Sequence, residues 1–345
     1  MAAPSPQLPD TGLPVEEAVE ALRAALAERG AAVLEAPPGA GKTTVVPLRL
    51  VEEPWLDGGR IVVLEPRRVA ARAAARRMAE LVGGEVGDLV GYRTRDESQV
   101  GVRTRVEVVT EGILVRQLQD DPWLEGVGLV VLDEVHERNL TTDLALALLV
   151  DVRREARPSL RVLAMSATIE ADRLAVVLGD GDDPVPVVRS QGRAHRVDVR
   201  HAAPGPGDRL DAHVARVVAR LLADEPHGDV LVFLPGAADI ARVRDRLAVP
   251  GALGDHVDVH RLFGGLSPED QDRALRPSPE GRRRVVLSTD LAESSLTVPG
   301  VRLVVDAGLV RVPRHDAATG LTRLRTEPAS QASADQRAGR AGRLG

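Results

Sequence analysis

The chain has 345 residues, 43% hydrophobic and 28% charged, a balance that excludes a disordered or fibrous chain and leaves room for two domains with cores of their own. It has no cysteine, which excludes disulfides, thiolate metal sites and cysteine nucleophiles and fits a reducing, cytoplasmic setting. The net charge of −6 excludes a uniformly basic nucleic-acid binder, so any such contact must come from local patches, at Arg67, Arg68, Arg72, Arg76 and Arg77 or at Arg282–Arg284.

The first residues are Pro-rich and read as loose, with no basic-then-apolar leader and no stretch of membrane-spanning length. Val15, Ala18, Val19, Leu22 and Leu26 recur at helical spacing, and Gly30 is a natural stop. Short apolar runs begin at Ala31, Ile61, Val106, Val127 and Arg161. They are nearly continuous in Val, Leu and Ala, the pattern of strands buried on both faces of a parallel sheet. Between them, Arg67–Leu81 and Thr141–Arg154 read as helices. Around Gly179–Arg200 the alternation breaks, and this stretch reads as the region between domains. A second alternation predicts strands at His195–His201, Asp229–Leu234, His256–Leu262, Arg283–Ser288 and Val301–Asp306, with helices at Arg209–Ala223 and Ala237–Leu247. The fold class is α/β: two tandem domains, 1–190 and 191–345, each a mainly parallel sheet flanked by helices.

Three segments carry chemistry. APPGAGKTT, Ala36–Thr44, follows a predicted strand and opens a helix, the setting of a phosphate-binding loop. Gly39 and Gly41 let backbone N–H groups turn toward phosphates, Lys42 can reach the β/γ-phosphates and Thr43 can hold Mg²⁺. Ala36 stands where the first glycine of the usual pattern is expected. In VVLDEVHER, Val130–Arg138, an apolar strand delivers Asp133 and Glu134 to its carboxyl end, where open α/β sheets bind ligands. Asp133 suits a water-mediated hold on Mg²⁺, and Glu134 suits a general base for the attacking water. In QRAGRAGR, Gln336–Arg343, the two last arginines share a face if the segment is helical. They can meet a γ-phosphate while Gln336 orients water; alternatively the run is a plain basic patch.

These segments, with EPRRVAAR (Glu65–Arg72), VTEGIL (Val109–Leu114), SAT (Ser166–Thr168) and STDLAESSLT (Ser288–Thr297), stand in the order of superfamily 2 helicase motifs. The set resembles the DEAH-box helicases. EPRRVAAR and GLVRVPRHDAATGLTRL look most like the bacterial HrpB-type ATP-dependent RNA helicases, and the resemblance runs from about Val15 onward. It implies two RecA-like domains, an NTP hydrolase using ATP and Mg²⁺, and a single-stranded RNA partner, with DNA as the alternative. It implies that Gly39, Ala40, Gly41, Lys42, Thr43 and Thr44 hold the triphosphate, and that Asp133, Glu134 and His136 form the box that names the family, with Val135 in place of the usual alanine. Ser166 and Thr168 would couple hydrolysis to RNA, while Gln336, Arg340 and Arg343 would complete the ATP site from the second lobe. Arg77 falls where relatives set an arginine against the base. Leu275 stands in place of its aromatic partner, so several NTPs should serve. Arg67, Arg68, Arg95, Thr110 and Thr289 match positions on the RNA backbone, which implies sequence-independent, salt-sensitive binding.

Val310–Arg314 and Leu321–Arg325 flank DAATG and read as a hairpin, which in relatives helps part strands and otherwise is a plain surface hairpin. The run Arg282–Arg284 reads as a solvated edge, and the histidines outside DEVH have no metal-ligand spacing. Relatives continue past the last motif with further domains, whereas this sequence ends at Gly345. ATP hydrolysis is therefore a firmer expectation than unwinding. The rival readings are a non-hydrolysing RNA-binding module and a DNA-directed motor.

Overall fold

The computed structural model describes residues 8–167, 171–180, 182–192, 195–278, 281–293 and 296–343, with only the backbone of Arg343. Thr168 and the Arg343 side chain, both singled out above, lie outside the described residues. The chain divides into two compact units, Met1–Arg193 and Ala194–Gly345. No helix among the described residues is long and apolar enough to cross a membrane.

In the first unit a tight turn, Pro14–Ala18, leads into α1 (Val19–Arg29), which Gly30 closes with its N–H on the Leu26 carbonyl at 3.2 Å. There follow β1 (Ala31–Glu35), α2 (Lys42–Leu50), β2 (Arg60–Leu64), α3 (Arg68–Leu81), β3 (Val90–Arg93), β4 (Ser98–Gln99), β5 (Val106–Val109) and α4 (Glu111–Asp120). The unit is completed by β6 (Val127–Leu132), α5 (Leu140–Asp151), β7 (Arg161–Ser166), α6 (Ala171–Leu178) and β8 (Val187–Arg189). The strands make one eight-stranded sheet in the order β4-β3-β5-β2-β6-β7-β1-β8, parallel everywhere except at β4.

Alternate residues of the central strands enter opposite cores. Leu34, Ile61, Leu129 and Leu163 pack with Leu22, Val45 and Ala75 on one face. Val33, Val62, Val130 and Val162 pack with Leu114, Leu149 and Leu178 on the other. With both faces covered, neither set of positions can be polar, which is why the runs look continuous in the sequence. The stretch read as interdomain is partly sheet: β8 pairs with β1, Val187 opposite Val33. Trp55 lies beneath the Arg161 guanidinium, 4.8 Å from ring centre to Cζ, and Trp123 is 55% exposed.

The second unit contains α7 (Leu210–Asp224), β9 (Asp229–Phe233), α8 (Ala237–Leu247), β10 (Val257–Leu262), α9 (Pro268–Leu275), β11 (Arg283–Ser288) and β12 (Val301–Asp306). Then come β13 (Leu309–Asp316), β14 (Leu321–Pro328) and α10 (Gln331–Gly339). A four-stranded parallel sheet runs β10-β11-β9-β12. β13 and β14 form a separate antiparallel hairpin. The core joins Val230, Val232, Val285 and Leu287 to Val218 and Ile240.

Two expectations are corrected here. His195–His201 forms no strand; the His195 N–H donates to the Gly342 carbonyl at 2.9 Å, and Val199 is exposed, so the alternation of Val197 and Val199 has no ladder to join. Arg282–Arg284 is not a solvated edge. Arg284 is 1% exposed, with Nε on Asp229 Oδ2 at 2.7 Å and further bonds to the Arg276 and Pro299 carbonyls. Arg282 pairs with Asp258 at 2.9 Å, and Arg283 caps the Gly228 and Leu222 carbonyls. The run knits β11 into its unit.

Candidate nucleotide-binding site

Because the first sheet is parallel, the residues that follow β1, β2, β5, β6 and β7 all gather along its carboxyl edge. The loop after β1 turns through Gly39 and Gly41 at φ 85° and 94°, a left-handed region that only glycine enters freely, and α2 starts directly at Lys42. Ala36 needs no such freedom: its φ is not positive, and its N–H continues the ladder to the Ser166 carbonyl at 3.0 Å. A side chain is therefore tolerated where the usual pattern has glycine. Ala40 is buried between the two glycines, and Thr44 sits in the first turn of α2, its N–H on the Gly41 carbonyl at 3.2 Å.

β6 brings its two acids to the same place. Lys42 Nζ lies 3.0 Å from Glu134 Oε1 and 4.0 Å from Asp133 Oδ1. The Thr43 hydroxyl donates to Asp133 Oδ2, while Asp133 Oδ1 accepts the Glu134 N–H at 2.8 Å. Lys42, Asp133 and Glu134 are all buried. Glu134 holds a left-handed backbone, φ 53°, which a non-glycine residue adopts at a cost of about 1 kcal/mol and which turns its carboxylate back toward Lys42. His136 Nδ1 lies 3.4 Å from both the Ala167 N–H and Glu134 Oε2; it accepts from the first or donates to the second according to its tautomer. It thereby links the ends of β6 and β7, where Ser166 is buried.

Burial opposes the charge on Lys42, but the adjacent Glu134 and Asp133 outweigh it and hold the ammonium above the ordinary lysine range. Burial also raises Asp133, against the pull of Lys42. A further acid was given no role in the sequence: Glu65, just after β2, is fully buried beside Asp133. Burial, with the charges of Asp133 and Glu134, pushes it well above the usual carboxylate range. One lysine thus faces three buried acids.

Among the described residues no group of three or more His, Cys, Asp or Glu could hold a metal ion. The oxygen donors side by side here are one hydroxyl, Thr43, and one carboxylate, Asp133. That pair suits Mg²⁺, which takes one or two protein oxygens and completes its shell with phosphates and water.

Similarity to known proteins extends over both units. Residues 16–176 match the model of the DEAD/DEAH box helicase, and residues 213–345 that of the helicase conserved C-terminal domain. The chain carries a DEAD/DEAH box helicase domain followed by a helicase conserved C-terminal domain. It is 50% identical over 334 residues to the ATP-dependent RNA helicase HrpB of Escherichia coli K12, covering 97% of this chain and 40% of that one. It is 35% identical over 334 residues to the HrpA homolog of Haemophilus influenzae, covering 96% of this chain and 25% of that one. The crystal structure of the E. coli DEAH/RHA helicase HrpB matches with a TM-score of 0.88 at 50% identity, over 96% of this chain and 41% of that one. A second, of the E. coli DExH-box NTPase HrpB, matches at 0.80 and 49%, over 100% and 41%. The chain spans about two fifths of the length of the HrpB relatives it matches.

The other helicase motifs fall in two places. On the first sheet, Arg67 and Arg68 open α3 after β2, Thr110 stands between β5 and α4, and exposed Arg95 follows β3. β3, β5 and β2 are neighbours, so these residues continue the carboxyl edge beyond the Lys42 cluster. Arg67 lies 3.5 Å from Glu137, and Arg68 pairs with Asp96. Arg77 stands on an exposed face of α3, paired with Glu80 at 3.3 Å. In the second unit Thr289 follows β11 and caps a short turn. α10 ends at Gly339 with Arg340 as its C-cap, and a short helical turn, Ala341–Arg343, follows. Arg340 is buried, donating to the Glu293 and Leu296 carbonyls at 2.9 and 2.6 Å. Gln336 is half-buried on α10. Arg337, given no role in the sequence, is the best anchored of the group: it meets Glu293 and Asp306 at 2.7 and 2.9 Å and covers the Phe233 ring at 5.1 Å. Its position between the named Gln336 and Arg340 hid it.

Proposed function

We propose that this chain is an ATP-dependent RNA helicase motor, hydrolysing NTP to NDP and phosphate when bound to single-stranded nucleic acid and moving along or unwinding it. The observation that carries the reading is the convergence of Lys42, Thr43, Asp133 and Glu134 at the carboxyl edge of one sheet. The names of the relatives support RNA as the substrate.

In this mechanism the loop Gly39–Thr44 receives the phosphates through its N–H groups and the N-terminus of α2. Lys42 leaves Glu134 for the β/γ-phosphate oxygens, and that exchange frees the carboxylate to take a proton from the attacking water. Thr43 and Asp133 are the residues that would hold Mg²⁺, which when bound neutralises phosphate charge. His136 keeps Glu134 oriented and reports on the β7 end at Ser166. To Gln336, Arg340 and Arg343 we assign orientation of the water and neutralisation of the γ-phosphate, and to Arg77 a place against the base. Arg67, Arg68, Arg95, Thr110 and Thr289 would hold the backbone of the strand without reading its sequence. The reading carries a cytoplasmic site of action, where ATP and RNA are both available.

The test is phosphate release titrated with single-stranded RNA. Wild type should be stimulated, and Glu134→Gln should bind ATP and RNA yet release phosphate about 10²- to 10⁴-fold more slowly. Unchanged release in that variant would remove Glu134 from its role. Single-stranded DNA in a parallel titration decides the sugar, since backbone contacts alone do not distinguish it.

A further inference from the structure

Residues outside every motif hold the phosphate loop from behind. The Val15 N–H donates to the Ala40 carbonyl at 3.1 Å, and Val15 is fully buried. Leu13 packs so closely on Gly41 that a Cβ there would sit 2.8 Å from Leu13 Cδ1. Ala40 stands between the two glycines of positive φ, so tying its carbonyl outward sets the planes of the peptides on either side.

The same turn reaches the segment with which the chain leaves the first unit. Ser190 Oγ donates to the Pro14 carbonyl at 3.0 Å, and the Gln191 N–H donates to Glu17 Oε1 at 3.1 Å. The Ser190 N–H reaches the Glu35 carbonyl at 2.9 Å, at the end of β1. Two residues on, Gly192 lies directly on the Pro37 ring, where an added Cβ would overlap Pro37 Cγ. Gly192 has no positive φ; it is glycine here for close approach rather than for backbone freedom. The loop is thus gripped at Pro37 by Gly192 and at Ala40 and Gly41 by Val15 and Leu13, whose neighbours Pro14 and Glu17 bond to Ser190 and Gln191.

We propose that Leu13, Val15 and Gly192 are positioning residues that hold the phosphate loop in its nucleotide-binding shape, so that nucleotide affinity and the setting of residues 190–192 depend on each other. The proposal rests on the reading of the Lys42 site as a nucleotide site. Linkage makes the dependence reciprocal: a change at 190–192 that moves Pro37 must alter nucleotide binding by the factor with which nucleotide alters that segment.

The experiment is a double-mutant cycle on the full chain with Gly192→Ala and Pro37→Ala, read by binding of a fluorescent ATP analogue, by KM and kcat for phosphate release, and by thermal melting. Gly192→Ala should weaken binding and raise KM about five- to tenfold with kcat and melting unmoved, whereas in the Pro37→Ala background the same substitution should cost less than about twofold. Should Gly192→Ala fold poorly, Leu13→Ala replaces it, with the same rise in KM expected. Wild-type affinity in Gly192→Ala, or a loss that Pro37→Ala does not relieve, overturns the proposal while the nucleotide site stands. Failure of the wild-type chain to bind nucleotide overturns both.

Discussion

Lys42 carries its charge where burial argues against it, because Glu134 and Asp133 stand within 4.0 Å. Its removal leaves Glu65, Asp133 and Glu134 buried together without a countercharge. Lys42→Ala should therefore lose stability as well as nucleotide binding, by about 3 kcal/mol, the scale of an abandoned buried ion pair. Urea unfolding measures it; a midpoint equal to wild type would show that the acids neutralise themselves at no cost. The cluster was largely legible in the sequence, since glycine spacing and an acidic pair after an apolar strand each have a mechanical meaning. Glu65 was not: a carboxylate ending an apolar run looks the same whether it faces solvent or three charged neighbours.

At the level of elements, two ion pairs fasten the helices and strands of the second unit. Asp211, in the first turn of α7, is held down to about 2 by its bond to Arg246 of α8 and, secondarily, by Arg209. A depressed carboxylate stabilises the fold above its ordinary value of 3.8 and loses that contribution as pH falls toward 2. The stability difference between wild type and Asp211→Asn should be full at pH 6 and shrink between pH 4 and 2; a difference constant with pH would remove Asp211 from this role. Arg284, buried on β11 against Asp229 of β9, should cost about 3 kcal/mol when changed to Ala, since Asp229 is left without its partner. Chemical denaturation monitored by circular dichroism gives the value, and a loss below about 1 kcal/mol would mean that Asp229 reaches water. The sequence misled at this scale where context decided. Charge suggested a wet edge at Arg282–Arg284, and alternation suggested a strand at His195–His201. β4 and β8 were missed because strands of two or three residues carry too little period to register, and β3 because Gly91 and Arg93 break up the apolar run that made the equally short β5 readable.

For the molecule as a whole, net charge repels RNA, so binding must be local and dilute in cations. With Arg67, Arg68 and Arg95 as the phosphate contacts of the first unit, log affinity for single-stranded RNA should fall with log salt at a slope of about −2. Fluorescence anisotropy across a salt series checks this; a slope near zero would remove these arginines from the interface. The two-part α/β organisation was readable from the double run of buried strands. The strand order was not, because it depends on which apolar runs meet after the chain has crossed over the sheet. The scarcity of aromatic residues has a practical corollary. Trp55, Trp123 and Tyr92 all belong to the first unit, and the second has only Phe233 and Phe263. Emission excited at 295 nm is consequently a built-in optical probe of the first unit alone, with Trp55 quenched or released as the Arg161 stack holds or breaks.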